Sequence, residues 1–75
     1  MDPLEERRRR AIATYEAALE EFQAATNQAI ARIKAGDTLT DADLKRESDA
    51  RAGMIDAREV VLRLNRLKRL MKDQS

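Results

Sequence analysis

From Leu4 to Ala35 the chain contains neither glycine nor proline, and apolar residues return through that stretch at helical spacing. A run of this length with this period has one solution, a long amphipathic helix. Its apolar stripe is Leu4, Ile12, Tyr15, Leu19, Phe22, Ala29 and Ile33, widened by Ala11, Ala18, Ala25 and Ile30. The start carries local instructions: Asp2 can cap, Pro3 falls where a missing N–H costs nothing, and Glu5 stands three residues after the cap. Gly36 ends the helix after Arg32 and Lys34, cations placed where the helix dipole favours them. The first helix is expected from about 3 to 35.

A turn at about 36–40 follows. Thr40 is then positioned to cap a second helix, with Asp41 and Asp43 in its first turn, and Leu39 and Leu44 at the two positions of a hydrophobic staple. That helix is expected from about 41 to 71, before a short polar tail. Its main stripe is Ala50, Met54, Ala57, Val61, Leu64, Leu67 and Met71, flanked by Val60. A connection of about five residues makes the two helices antiparallel neighbours. The fold class is therefore all-α, and residues 1–75 form a single helical-hairpin domain. Facing residues should carry numbers that total about 76, which sets Phe22 near Met54 and Gly53, Leu19 near Ala57 and Tyr15 near Val61. On that register Gly53 makes room for Phe22; otherwise it is a surface glycine that the helix tolerates.

One hairpin offers little to bury. Hydrophobic residues make up 43% of the chain, but 13 of them are alanine, while charged residues reach 39% against roughly 25% in a typical soluble domain. With no cysteine, disulfide staples are out of reach, and so small a core needs a staple or a partner. The second helix carries a second line, Leu44, Ile55 and Leu62, roughly opposite Ala57 on a helical wheel. That line is the expected self-association or partner face. A homo-oligomer follows, with a dimer favoured, closing a four-helix bundle or coiled-coil assembly. Ala13, Ala17, Ala24 and Ala31 form a weaker line on the first helix.

Catalytic chemistry finds little to work with. Histidine and cysteine are absent, which removes the commonest general base, the thiol nucleophile and most transition-metal ligands. Glu16 and Glu20 fall on a solvated flank. Asp37, Asp41 and Asp43 lack the alternating ligands of a calcium loop, and no phosphate-binding or nucleophile-elbow motif occurs. No enzyme, catalytic residue, cofactor or metal is expected. No apolar run approaches a bilayer span and no secretory signal pattern fits, so a cytoplasmic location and no membrane partner are expected.

Charge is distributed unevenly. Residues 58–75 carry six cations against two acids, net +4, and residues 1–10 four arginines against three acids, net +1. Residues 11–57 hold five cations and nine acids. The hairpin gathers the two basic segments at one end, opposite an acidic turn. Arg7, Arg8, Arg9, Arg10, Arg63, Arg66, Lys68, Arg69 and Lys72 are the candidate contacts of that basic end. Helical pairs Glu5–Arg9, Glu6–Arg10, Glu47–Arg51 and Glu59–Arg63 would absorb part of it. The expectation is a non-catalytic interaction module, a scaffold, adaptor or chaperone-like protein binding itself or another protein. The alternative is a nucleic-acid-associated regulator using residues 7–10 and 58–72. In shape and size alone, such a hairpin is similar to small helical adaptors such as the short co-chaperones of bacterial secretion systems.

Overall fold

The computed structural model describes residues 2–74. Two helices pack antiparallel against each other, α1 over Pro3–Lys34 and α2 over Asp41–Gln74. The resulting rod measures 59 × 17 × 16 Å. Its radius of gyration is 17.1 Å, where a compact chain of this length would have about 11 Å. A rod this thin has almost no interior. Ala25, at 4% exposure, is the one buried apolar residue among those described.

The ends of both helices are fixed by local chemistry. The Asp2 carboxylate accepts from the Leu4 N–H at 3.0 Å, and Pro3 opens α1. At the far end Gly36 adopts φ +81°. The Asp37 N–H then reaches the Arg32 carbonyl at 2.9 Å and the Gly36 N–H that of Ile33 at 3.1 Å. This double closure satisfies two carbonyls that the helix end would otherwise leave open. Thr40 and Asp43 cap α2 reciprocally: the Asp43 N–H donates to Thr40 Oγ1 at 3.2 Å, and the Thr40 N–H donates to Asp43 Oδ2 at 3.1 Å. α2 continues to Gln74 rather than ending near 71, so the expected polar tail is helical there, and Ser75 lies outside the described residues.

The seam between the helices follows a heptad rather than the broader stripe read from the sequence. On α1 the more covered positions step by four and three, through Leu4, Arg8, Ala11, Tyr15, Ala18, Phe22, Ala25, Ala29 and Arg32. On α2 they step through Asp43, Glu47, Ala50, Met54, Ala57, Val61 and Leu64. Alanine alternates with large residues, which lets the two backbones approach closely while bulky groups interleave.

Cross-helix pairs define the register. Arg8 donates to the Asn65 side-chain oxygen at 2.7 Å, Lys68 to Glu5 at 2.9 Å, and Arg46 to Gln28. Arg32 pairs with Asp43 at 3.2 Å, and the Arg51 guanidinium lies over the Phe22 ring. Facing numbers therefore total 73 to 75 rather than 76. Arg46 also stretches along the rod to Glu21 at 3.1 Å.

The shift overturns the expected role of Gly53. A Cβ placed there would meet nothing within 4 Å, and the residue is exposed. Arg51, not Gly53, is the neighbour of Phe22. Of the four expected helical ion pairs, Glu6–Arg10 at 2.7 Å and Glu47–Arg51 at 2.6 Å are present. Glu5 turns instead to Arg8 at 3.2 Å and to Lys68 across the seam, and Glu59–Arg63 does not form.

Candidate interaction face

Rows lying beside a heptad seam repeat every seven residues, and those on one side of it expose Ile30, Ile33, Leu44, Ile55 and Leu62, while Val60, Leu67, Leu70 and Met71 are exposed elsewhere on α2. On α1 the row beside the seam is Ile12, Leu19, Thr26 and Ile33, and the next one outward holds Arg9, Glu16, Gln23 and Ile30. On α2 the corresponding rows are Leu44, Arg51, Arg58 and Asn65, then Ser48, Ile55, Leu62 and Arg69. Ile30, Ile33, Leu44 and Arg51 line one shallow groove near the turn, which puts these rows of both helices on a single face. Leu44, Ile55 and Leu62 are 52%, 45% and 50% exposed, and Ile33 is 60% exposed. Ile12 and Leu19 are half-buried behind them. The face is thus a second seam, apolar at intervals and charged between, with no element of the hairpin against it. Ala13, Ala17, Ala24 and Ala31 are also exposed, with only small side chains to offer.

The basic residues do not gather into one patch. Arg8 is drawn into the seam by Asn65 and Glu5, and Lys68 is held by Glu5. Arg7, Arg10 and Arg63 rim a groove of about 450 Å³ floored by Ala11, Val60, Leu64 and Leu67, on the side away from the second seam. Arg66 lies beside Leu62 and Glu59 on the outside of α2. Among the described residues, Arg7, Arg9, Arg63, Arg66 and Arg69 make no ion pair. Lys72 is exposed near the end of α2 and is engaged in an interaction there.

Two carboxylates are tuned by their partners. Glu5 is held below its ordinary value chiefly by the hydrogen bond from Lys68, with the charges of Lys68 and Arg8 adding to it. Asp43 is lowered first by the Thr40 backbone N–H, then by the Thr40 hydroxyl and by Arg32 and Arg46. Both act as latches, Glu5 at the terminal end and Asp43 at the turn.

Sequence reasoning missed two polar groups, Arg8 in the seam and Asn65 in the row beside it. The spacing could have revealed Arg8, which falls in step with Leu4, Ala11 and Tyr15. Among the described residues no group of three or more Asp or Glu side chains is placed to hold a metal ion. No described helix is long and apolar enough to cross a membrane. No family model, curated protein or solved structure matches this chain. The class the fold defines is a two-helix hairpin with exposed apolar side chains along its flanks.

Proposed function

We propose that the chain is a non-catalytic helical interaction module that acts by self-association and by contacts with other proteins. One observation carries the reading: large apolar side chains recur along the second seam of a rod whose own core holds a single buried alanine. Leu44, Ile55 and Leu62 are already about half covered, so burying the rest of each contributes roughly half of the 1.5–3 kcal/mol that a fully exposed side chain would give. That is a large share of the stability open to so small a domain. The absence of histidine and cysteine from the sequence supports a role in binding rather than in catalysis. Sedimentation at micromolar concentration tests it, with a dimer or higher oligomer expected. A stable, fully helical monomer across the concentration range would refute self-association.

The arginines left without ion pairs at the terminal end favour a second reading. Arg7, Arg9, Arg63, Arg66 and Arg69 offer a site for nucleic-acid phosphates. The near-neutral total charge and the half-burial of Tyr15 and Phe22 against the seam, which leaves little of either ring to stack on a base, rank it second.

A further inference from the structure

We infer that the second seam is covered by a second copy of this chain lying parallel to the first, related by a two-fold axis along the rod, so that α1 of each hairpin packs on α2 of the other. The inference rests on the self-association proposed above and adds to it an orientation and a register.

Two orientations bring the same face of two hairpins together about a two-fold axis. If the axis runs along the rod, both turns lie at one end and α1 meets the partner's α2. If the axis crosses the rod, the turns lie at opposite ends and each helix meets its own copy. The first case preserves height along the rod. The register of the hairpin, with facing numbers totalling 73 to 75, then carries over to the interface.

Applied to the second seam, that register matches like with like. Ile12 faces the partner's Leu62, Leu19 faces the partner's Ile55, and Ile30 faces the partner's Leu44. Between these apolar steps Glu16 faces the partner's Arg58, Glu5 faces the partner's Arg69, and Gln23 faces the partner's Arg51. The two-fold axis repeats each pairing in reverse. Along most of the second seam α1 and α2 are thus complementary, with three apolar pairs and two Glu–Arg pairs, while Ile33 meets the partner's Asp41 and Thr26 the partner's Ser48. Nothing in the packing of one hairpin requires this.

The crossed arrangement does worse. Centred so that Ile12 meets the partner's Leu19 and Ile55 meets the partner's Leu62, it opposes Glu16 to the partner's Glu16 and Arg58 to the partner's Arg58. Ile30 then reaches only the start of the partner's α1 rather than its Leu44, and Ile33 meets no large apolar side chain in either form. Like charges set opposite each other across an interface are strongly unfavourable. The parallel form has its own cost, because it sets two basic ends side by side. Screening over about 8 Å at physiological ionic strength weakens that diffuse repulsion more than it weakens pairs in contact, so the local pairing decides.

The exposed area is sufficient. The chain exposes 6028 Å², whereas a folded monomer of this mass exposes about 4,700 Å². The excess, about 1,300 Å² per chain, is larger than the roughly 800 Å² each partner gives to a standard interface.

A spin label on Thr38→Cys reads the orientation directly, since the chain has no other cysteine and Thr38 is exposed in the turn. Sedimentation of the labelled protein establishes the dimer first. The parallel form puts the two labels within roughly 30 Å, because packed helices lie 8–10 Å apart. The crossed form separates them by a distance near the 59 Å length of the rod. A long distance in an intact dimer overturns the orientation and leaves self-association standing, whereas a monomer throughout overturns self-association itself. A charge swap checks the register. Glu16→Arg or Arg58→Glu alone should weaken dimerisation roughly ten-fold or more, and the two together should restore it. Failure of the double variant to recover would also overturn the proposal, since only the parallel form sets these two residues against each other between chains.

Discussion

The Arg51 guanidinium lies 5.9 Å from the centre of the Phe22 ring while also pairing with Glu47 one helical turn earlier. Arg51 therefore roofs the largest apolar side chain of the seam, its guanidinium over the ring face and its charge shared with Glu47. This placement moves Gly53 out of the seam and onto the surface, with open space where its side chain would be.

Gly53→Ala should therefore stabilise the protein. Glycine inside a helix costs about 1 kcal/mol relative to alanine, and for a domain of this size that corresponds to a rise of about 4–8 °C in the melting temperature. Gly53→Leu should be tolerated for the same reason. Thermal melts followed by circular dichroism give the answer. A fall in either variant would mean that another chain approaches closely at this position.

Titration should show an acid limb with two named contributors. The carboxyls of Glu5 and Asp43 are lowered from ordinary values of 4.5 and 3.8, so the folded state binds their protons less readily than the unfolded chain does. Their contribution is fully present above those ordinary values and is lost as pH falls through the lowered, folded ones. Stability should be flat in this respect above about pH 5 and decline toward pH 3. Glu5→Gln with Asp43→Asn should be less stable at neutral pH and show a shallower acid limb. An unchanged limb in denaturant titrations at several pH values would remove both latches from the account.

What the sequence made legible was whatever local chemistry decides. Asp2, Pro3, Gly36, Thr40 and Asp43 act on backbone groups within a few residues of themselves, and the starts of both helices and the end of α1 followed from them, whereas the end of α2 at Gln74 did not. The register was less accessible because it depends on distant residues. A stripe read at 3.6 residues per turn drifts by about 20° per heptad from one held at 3.5. Over α1 that drift exchanges Ile33, 60% exposed, for Arg32 as the last seam residue, where Arg32 reaches Asp43. Arg8 is hidden for a related reason: an apolar pattern has no place for a seam cation satisfied by Asn65 from the adjacent row. The candidate face was legible through Leu44, Ile55 and Leu62, but only its half on α2. Ile12, Leu19 and Ile33 lie on the 3.6-residue stripe as well as on this face, so the sequence pattern places them in the hairpin's own core.

The basic end has a direct assay. If it binds phosphates, duplex DNA should bind at about 50 mM salt and micromolar protein, with affinity falling steeply as salt rises. Arg66→Glu with Arg69→Glu should abolish that binding. Neither side chain makes an ion pair within the hairpin among the described residues, and circular dichroism of the variant checks that the change at Arg69, which the parallel dimer sets against the partner's Glu5, leaves the helices folded. Absence of any shift under these conditions would dispose of the nucleic-acid reading.

The last prediction concerns the stability of the whole molecule. A rod with one buried alanine draws little stability from its own seam, and Ile55 and Leu62 sit about half in water on its outer side. If a second chain covers them, folding and association become one equilibrium and the melting temperature must rise with protein concentration. Ile55→Glu together with Leu62→Glu places two carboxylates where the partner's apolar groups would lie. An unpaired charge cannot be buried there without a large desolvation penalty, so the variant should sediment as a monomer and lose most of its helical signal at micromolar concentration. The positions are exposed within the hairpin, so a purely monomeric protein would accept glutamate at both with little change. Wild type and double variant melting together, at any concentration, would mean that the second seam stays in water.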